Sequence, residues 1–133
     1  MKLLAIPLIG VLLIVLPVHA HHNYRLNFDN SIEITIEGVV TKVSWMNPHI
    51  SIYLDAVDAN GNVTNWIMPT AAPGIAGRNG MTAETLTVGE KVTVVGWPAR
   101  DGTNTMRARL LILADGSKIP LSPTGGRGKG SRN

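Results

Sequence analysis

The chain has 133 residues, which is room for one domain and two short appendages. It contains no cysteine, so disulfides, thiol chemistry and zinc–thiolate sites are excluded. The net charge is +3, but residues 21–120 hold eight Lys or Arg against nine Asp or Glu, and the other basic residues are Lys2, Arg127, Lys129 and Arg132. A near-neutral domain with few aromatic side chains does not favour nucleic-acid binding, which combines a basic groove with stacking platforms.

The first 20 residues have the pattern of a secretory signal peptide. Lys2 precedes an apolar run over residues 3–16, and Val18 and Ala20 occupy the −3 and −1 positions before a cleavage site. An uncleaved anchor is the alternative, but the run is shorter than the roughly 20 residues of a spanning helix, and Pro7 interrupts it. We therefore predict cleavage after Ala20, no remaining membrane span, and a periplasmic or secreted location in a Gram-negative bacterium.

Alternation of apolar and polar residues predicts five strands. In the first strand, residues 31–43, Ile32, Ile34 and Ile36 share one face, and Gly38 is predicted to form a bulge or bend. The other strands are predicted at residues 50–55, 63–68, 91–97 and 105–113, the last facing Met106, Ala108, Leu110 and Ile112 inward, and residues 118–121 add a short edge piece. One or two turns of helix are predicted within residues 71–80, between the third and fourth strands, with Pro73 early and Asn79-Gly80 at the end.

Three strands, a helical connection and two further strands follow one another in the order of the oligonucleotide/oligosaccharide-binding (OB) barrel. The predicted fold is all-β: a small five-stranded OB-like barrel with a short helical connection between strands 3 and 4. A small open sandwich has the same strand pattern and stays open as an alternative. The barrel domain is assigned to residues 21–120, and residues 121–133 are predicted to be a disordered, basic, glycine-rich tail.

Three histidines carry the most specific chemical signal in the mature chain. Cleavage after Ala20 makes His21 the first residue, and its α-amine and imidazole can chelate one metal ion together, while His22 offers a further chelate. His49, beside the Asn47–Pro48 turn that joins the first two strands, is the third partner. Imidazole-rich nitrogen sites suit Cu(II), so the sequence predicts a copper site at these three histidines. The alternatives are an unstructured polar start and a turn histidine that bonds to nearby backbone.

Other candidate groups have simpler structural explanations. The thioethers could serve Cu(I), but they are expected to fill gaps in the core; they belong to Met46, Met68, Met81 and Met106. Asp55 and Asp58 could hold a hard cation, although turn chemistry explains them equally well. The sequence has no nucleophile-elbow or phosphate-loop motif, so a protein without enzymatic activity is predicted.

A second candidate surface would bind a partner protein in the periplasm or an envelope glycan. It comprises Trp45, Asn47, Tyr53 and Trp66. The tryptophans have a structural alternative, because Trp45, Trp66 and Trp97 are also suited to covering the core of a small barrel.

The chain resembles a family of small exported bacterial proteins whose function is unknown. The resemblance rests on Ala20-His21-His22 after the signal, on a Trp-x-Asn-Pro-His corner at residues 45–49, and on a late Leu-x-x-Gly-Glu segment at residues 86–90. It covers about residues 18–118 and implies an exported protein with a barrel fold, but no activity. Two classes of function therefore remain: copper handling without catalysis, and a metal-free interaction module or accessory subunit of a periplasmic oxidoreductase.

Overall fold

The computed structural model describes residues 24–121 of the chain. The predicted signal peptide, His21, His22 and the residues after 121 lie outside the described residues. The described part begins with a 3-10 helix, Tyr24–Asn27. The strands are β1 (Ile34–Ser44), β2 (Ser51–Val57), β3 (Val63–Pro69), β4 (Lys91–Pro98), β5 (Met106–Ile112) and β6 (Lys118–Pro120), with one helix, α1 (Pro73–Arg78), between β3 and β4.

All six strands form one antiparallel sheet in the order β3-β2-β1-β4-β5-β6. The all-β class and the helical connection between the third and fourth strands are confirmed. The sheet has six strands rather than five, because the short edge piece pairs with β5, and it is not closed into a barrel. A single parallel bridge between Ile67 and Thr105 joins β3 to the start of β5, and the Ile67 amide donates to the Asn104 carbonyl at 3.0 Å.

The long first strand changes partner along its length. Its first half pairs with β4 and its second half with β2. The irregularity in β1 lies between Val40 and Lys42, so the bulge predicted at Gly38 is displaced by a few residues. Gly38 has a different role: a Cβ there would lie 2.6 Å from the Asp55 carbonyl oxygen, so only glycine lets the backbones approach this closely.

Three predicted side-chain orientations are wrong, those of Ile32, Leu110 and Ile112. Ile32 precedes β1 and is exposed, whereas Ile34 and Ile36 pack against the core as predicted. In β5 the alternation changes after Ala108, because the register skips one residue opposite β4, and Leu111 rather than Leu110 is fully buried. A register shift of one residue turns every following side chain to the other face.

The core lies on one face of the sheet and includes Ala76 of α1. Its largest fully buried side chains are Val40, Ile50, Ile52, Leu54, Met68, Met81, Val92, Val94, Met106, Leu111 and Leu121. Leu121 belongs to this packed core, although the sequence assigned it to the tail. Of the four methionines within residues 24–121, three fill the core as predicted, while Met46 is exposed. Within residues 24–121, no helix is long and apolar enough to cross a membrane.

Candidate functional site

The corner between β1 and β2 lies where the sequence predicted it, at residues 45–50. The Asn47–Pro48 peptide bond is cis, and the Asn47 side chain is exposed. Trp45, at the start of the corner, is half-buried and packs against the core. The corner therefore has a packed aromatic base, an exposed turn and a histidine at its exit.

His49 is half-buried, and its Nδ1 lies 2.9 Å from the carbonyl oxygen of Thr70. A carbonyl oxygen can only accept a hydrogen bond, so Nδ1 is the donor, and the lone pair of the neutral ring is on Nε2. The tautomer is thus assigned from the hydrogen-bond partner of Nδ1. Histidines that bind a metal through one ring nitrogen commonly donate from the other to a backbone carbonyl or carboxylate. The bond therefore gives the ring the tautomer that an Nε2 metal ligand requires.

The backbone around His49 is tied to the end of β3 by two hydrogen bonds. The Ile50 amide donates to the Ala71 carbonyl at 2.9 Å, and the Thr70 amide donates to the Ile50 carbonyl at 2.8 Å. Because Ile50 follows His49 and is fully buried, the main chain and the ring of the histidine are both fixed against the same short segment. The His49 ring therefore has a defined orientation at the edge of the core.

The first described residues are bound to the hairpin between β4 and β5. Phe28 is buried and forms a bridge with Ala99, and the Arg100 amide donates to the Asn27 carbonyl at 2.9 Å. Leu26, Asn27 and Phe28 line a groove of about 420 Å³ together with Pro69, the residue before Thr70. The N-terminal segment and the end of β3 therefore line the same groove, next to the Thr70 carbonyl that bonds to His49. His21 and His22 precede the described residues.

The four residues of the second candidate surface do not form one patch. Tyr53 pairs with Ile67, and Leu54 pairs with Trp66, so Tyr53 and Trp66 lie on opposite faces of the sheet. Trp66 packs against the core and donates from Nε1 to the Thr64 hydroxyl at 3.3 Å. Tyr53 is on the outer face, where the Lys42 ammonium lies 5.1 Å from its ring centroid. Trp45 and Trp66 thus cover the core, as their structural alternative predicted.

The exposed aspartates are explained by turns. Asp58 accepts hydrogen bonds from the amides of Asn60 and Asn62, at 2.8 Å and 2.9 Å, and closes the β2–β3 hairpin. These bonds to the charged form, chiefly the one from the Asn62 amide, lower the pKa of Asp58 below its usual 3.8. Asp55 accepts from the Asn65 amide group across the strand pair. Neither carboxylate therefore needs a cation to account for its position.

Among the described residues, no three His, Asp or Glu side chains come together in a group that could hold a metal ion. His49 is the one predicted ligand that lies within residues 24–121. Thr70 is the site residue that sequence reasoning missed. Its role depends on a carbonyl contact with a residue 21 positions away, which leaves no local pattern.

Comparison with protein families identifies a match over most of the chain. The model of a family described as being of unknown function matches residues 10–108. No curated protein matches the chain. The matched range includes His49, Thr70 and strands β1–β4, so the corner and the strand that holds it are within the family match.

Proposed function

The chain belongs to DUF6152, a family of unknown function. We propose that this member is an exported protein that binds Cu(II). In this proposal the signal peptide is removed after Ala20, and the new N-terminal amine and imidazole of His21 bind the metal together with His22 and His49. The proposed role is transport or buffering of copper in the periplasm, without catalysis.

The observation that carries the proposal is the hydrogen bond from His49 Nδ1 to the Thr70 carbonyl. A neutral imidazole exists in two tautomers, and this bond favours the one with its lone pair on Nε2. Metal binding through Nε2 then costs little reorganisation, because the ring already has the required tautomer and orientation. A turn histidine without a ligand role would make the same kind of backbone bond, and the copper titration separates the two roles.

The position of the N-terminal segment also supports the proposal. Residues 26–28 and Pro69 line one groove, and Pro69 precedes the residue that holds His49. His21 lies three positions before Tyr24, a length that spans at most roughly 10 Å. The proposal requires that this length bring the His21 amine to His49.

The chemistry of the donor set favours copper. Amine and imidazole nitrogens in a planar arrangement suit Cu(II) better than Zn(II), Ni(II) or harder cations. The terminal amine must lose its proton to bind, and its ordinary pKa of roughly 7.7–8.0 allows a metal ion to displace that proton near neutral pH. The affinity should therefore fall in acid as the terminal amine is protonated.

We further propose that β1–β5 follow the arrangement of a partly open OB-like barrel, in which β3 and the start of β5 meet at a single bridge. The order β3-β2-β1-β4-β5, the helix between β3 and β4, and the parallel bridge from Ile67 to Thr105 support it. In an OB barrel this seam is the point of closure. Slow hydrogen exchange of the Ile67 amide, comparable with that of residues in β4, is expected if the seam is closed. Exchange as fast as that of a loop amide would indicate an open sheet.

The proposed copper site is tested by titration of the mature chain starting at His21. We expect one Cu(II) per chain, with a visible absorption spectrum typical of nitrogen ligands. One added alanine before His21 displaces the amine and should lower the affinity by at least about a hundredfold, while His49→Ala should lower it about tenfold or more. Asn47→Ala, an exposed change at the same corner, is the matched control and should bind as the wild type does. Affinity that is unchanged by the added alanine would refute the proposal.

One observation favours the interaction module as a second candidate. On the outer face of β2 and β3, Val57 is 68% exposed, Val63 is 63% exposed and Ile67 is 44% exposed. Aliphatic side chains favour a protein partner over a glycan, since sugars stack on aromatic rings and the Tyr53 ring is covered by Lys42. A photo-crosslinker at position 63 should then give one discrete adduct in the periplasm. The same group at Val88, an equally exposed valine in a loop, is the control.

A further inference from the structure

Thr70 is the one buried polar side chain among the described residues, with 3% of its surface exposed. Its hydroxyl donates to the carbonyl oxygen of Leu121 at 2.8 Å. All of its polar groups are therefore used: the amide donates to Ile50, the carbonyl accepts from His49, and the hydroxyl donates to Leu121, the residue after β6. One residue thus links the candidate ligand to a segment 51 positions further along the chain.

We propose that Thr70 is a positioning residue for His49, and that the segment after β5 controls the histidine ring through the Thr70 hydroxyl. The effect of this coupling on metal affinity rests on the proposed function. The coupling itself, between Leu121 and the His49 ring, holds independently of any metal.

The Leu121 segment has the fixed position that such control requires. The Leu121 amide donates to the Arg109 carbonyl at 2.7 Å, its side chain is fully buried, and the Asn79 side-chain amide donates to the Pro120 carbonyl at 2.9 Å. The Thr70 hydroxyl is thus bonded to an acceptor that cannot move freely. A fixed hydroxyl limits rotation of the Thr70 backbone, and this limits the direction in which its own carbonyl points.

The direction of that carbonyl determines the state of His49. If the carbonyl turns away, Nδ1 loses its acceptor and the ring no longer favours the Nδ1–H tautomer. Loss of the hydroxyl would also leave the buried Leu121 carbonyl without this donor, and a buried polar atom that loses its partner tends to rearrange to find another. Both effects loosen the segment that faces the histidine.

The experiment compares Thr70→Val, which removes the hydroxyl and keeps the shape, with Thr70→Ser, which keeps the hydroxyl. Thr64→Val is the matched control, because the Thr64 hydroxyl also donates to a carbonyl across the sheet, that of Ala56 at 3.2 Å, at the opposite end of β3. The first readout is the ring nitrogen NMR spectrum of His49 in metal-free protein, which distinguishes the tautomers. The second is the Cu(II) affinity of the mature chain.

We expect the Nδ1–H tautomer in the wild type, Thr70→Ser and Thr64→Val, and a tautomer mixture in Thr70→Val. Copper affinity should fall about tenfold or more in Thr70→Val and stay within about twofold of the wild type in the other two. A folded Thr70→Val protein with an unchanged ring spectrum would overturn the inference, and so would an equal change in Thr64→Val.

Two further results separate the possible failures. If Thr70→Val alters the ring spectrum but the wild type binds no copper, the coupling stands and the copper proposal fails. If Thr70→Val does not fold, Asn79→Ala replaces it, because this change frees the Pro120 end of the segment and keeps Thr70. Asn79→Ala should shift the ring spectrum in the same direction by a smaller amount, and a spectrum identical to the wild type would refute the coupling.

Discussion

Polar groups are usually exposed and apolar groups buried, and two regions depart from this rule. They are the edge of the core near His49 and the outer face of β2 and β3. Near His49, polar atoms of Thr70 are buried and each has a partner. On the outer face, Val57 and Val63 pair with each other and are exposed to solvent. A buried polar group requires a defined partner, whereas an exposed apolar group requires none. The first region should therefore be sensitive to small changes and the second tolerant of them.

Truncation of an aliphatic side chain should separate the two regions most strongly. Leu121 is fully buried and ends the segment bonded to Thr70, so Leu121→Ala should lower the free energy of unfolding by about 2–5 kcal/mol. Val63→Ala on the outer face should lower it by at most about 1 kcal/mol. Urea denaturation of the two variants measures both values. Equal effects would mean that Leu121 is part of the tail in solution and that the comparison is invalid.

Removal of a hydroxyl should separate buried from exposed hydrogen bonds. The Thr70 hydroxyl bonds to a carbonyl in the core, and the Thr41 hydroxyl bonds to the Tyr53 carbonyl at 3.3 Å on the surface. Thr70→Val should lower the free energy of unfolding by about 1–3 kcal/mol, because the Leu121 carbonyl loses its donor. Thr41→Val should change it by less than about 0.5 kcal/mol, since water replaces the bond. A cost for Thr41→Val as large as that for Thr70→Val would show that burial is not the deciding factor.

The strands and the corner could be predicted because their signals are local. Alternation over a few residues indicates a strand, and Asn47–Pro48 indicates a turn whatever the chain does after it. The same reasoning identified His49 as the histidine at the bend. It also gave tryptophans that cover the core, as Trp45 and Trp66 do.

The missed features depend on partners that are distant in sequence. Leu111 faces the core because β5 skips a residue opposite β4, and this skip cannot be read from β5 alone. Thr70 reads as an ordinary threonine after a proline, and its importance comes from Leu121, whose contact no periodicity indicates. Tyr53 and Trp66 were grouped on one surface, but the pairing register assigns them to opposite faces. Local patterns thus determine the elements, and register and long-range hydrogen bonds determine the site.

The smallest expected effect concerns the turn that joins the two strands of the outer face. Hydrogen bonds from the amides of Asn62 and other turn residues lower the pKa of Asp58 below 3.8. A carboxylate whose pKa is lowered in the folded state stabilises the fold above its unfolded pKa, and this contribution is lost as the pH falls through the folded pKa. Asp58→Asn keeps an acceptor oxygen and does not titrate. We therefore expect the wild type to lose stability relative to Asp58→Asn as the pH is lowered from about 6 to about 2.

Asp101 provides the parallel test at the other hairpin, between β4 and β5. Hydrogen bonds from the backbone and side chain of Thr103 lower its pKa in the same way. Asp101→Asn should therefore show the same sign of pH dependence, measured as the difference in urea midpoint from the wild type at each pH. Because both carboxylates are exposed, added salt should reduce any contribution from distant charges and leave the local hydrogen-bond contribution. A pH dependence that disappears in salt would mean that long-range charge, and not the turn, lowers the two pKa values.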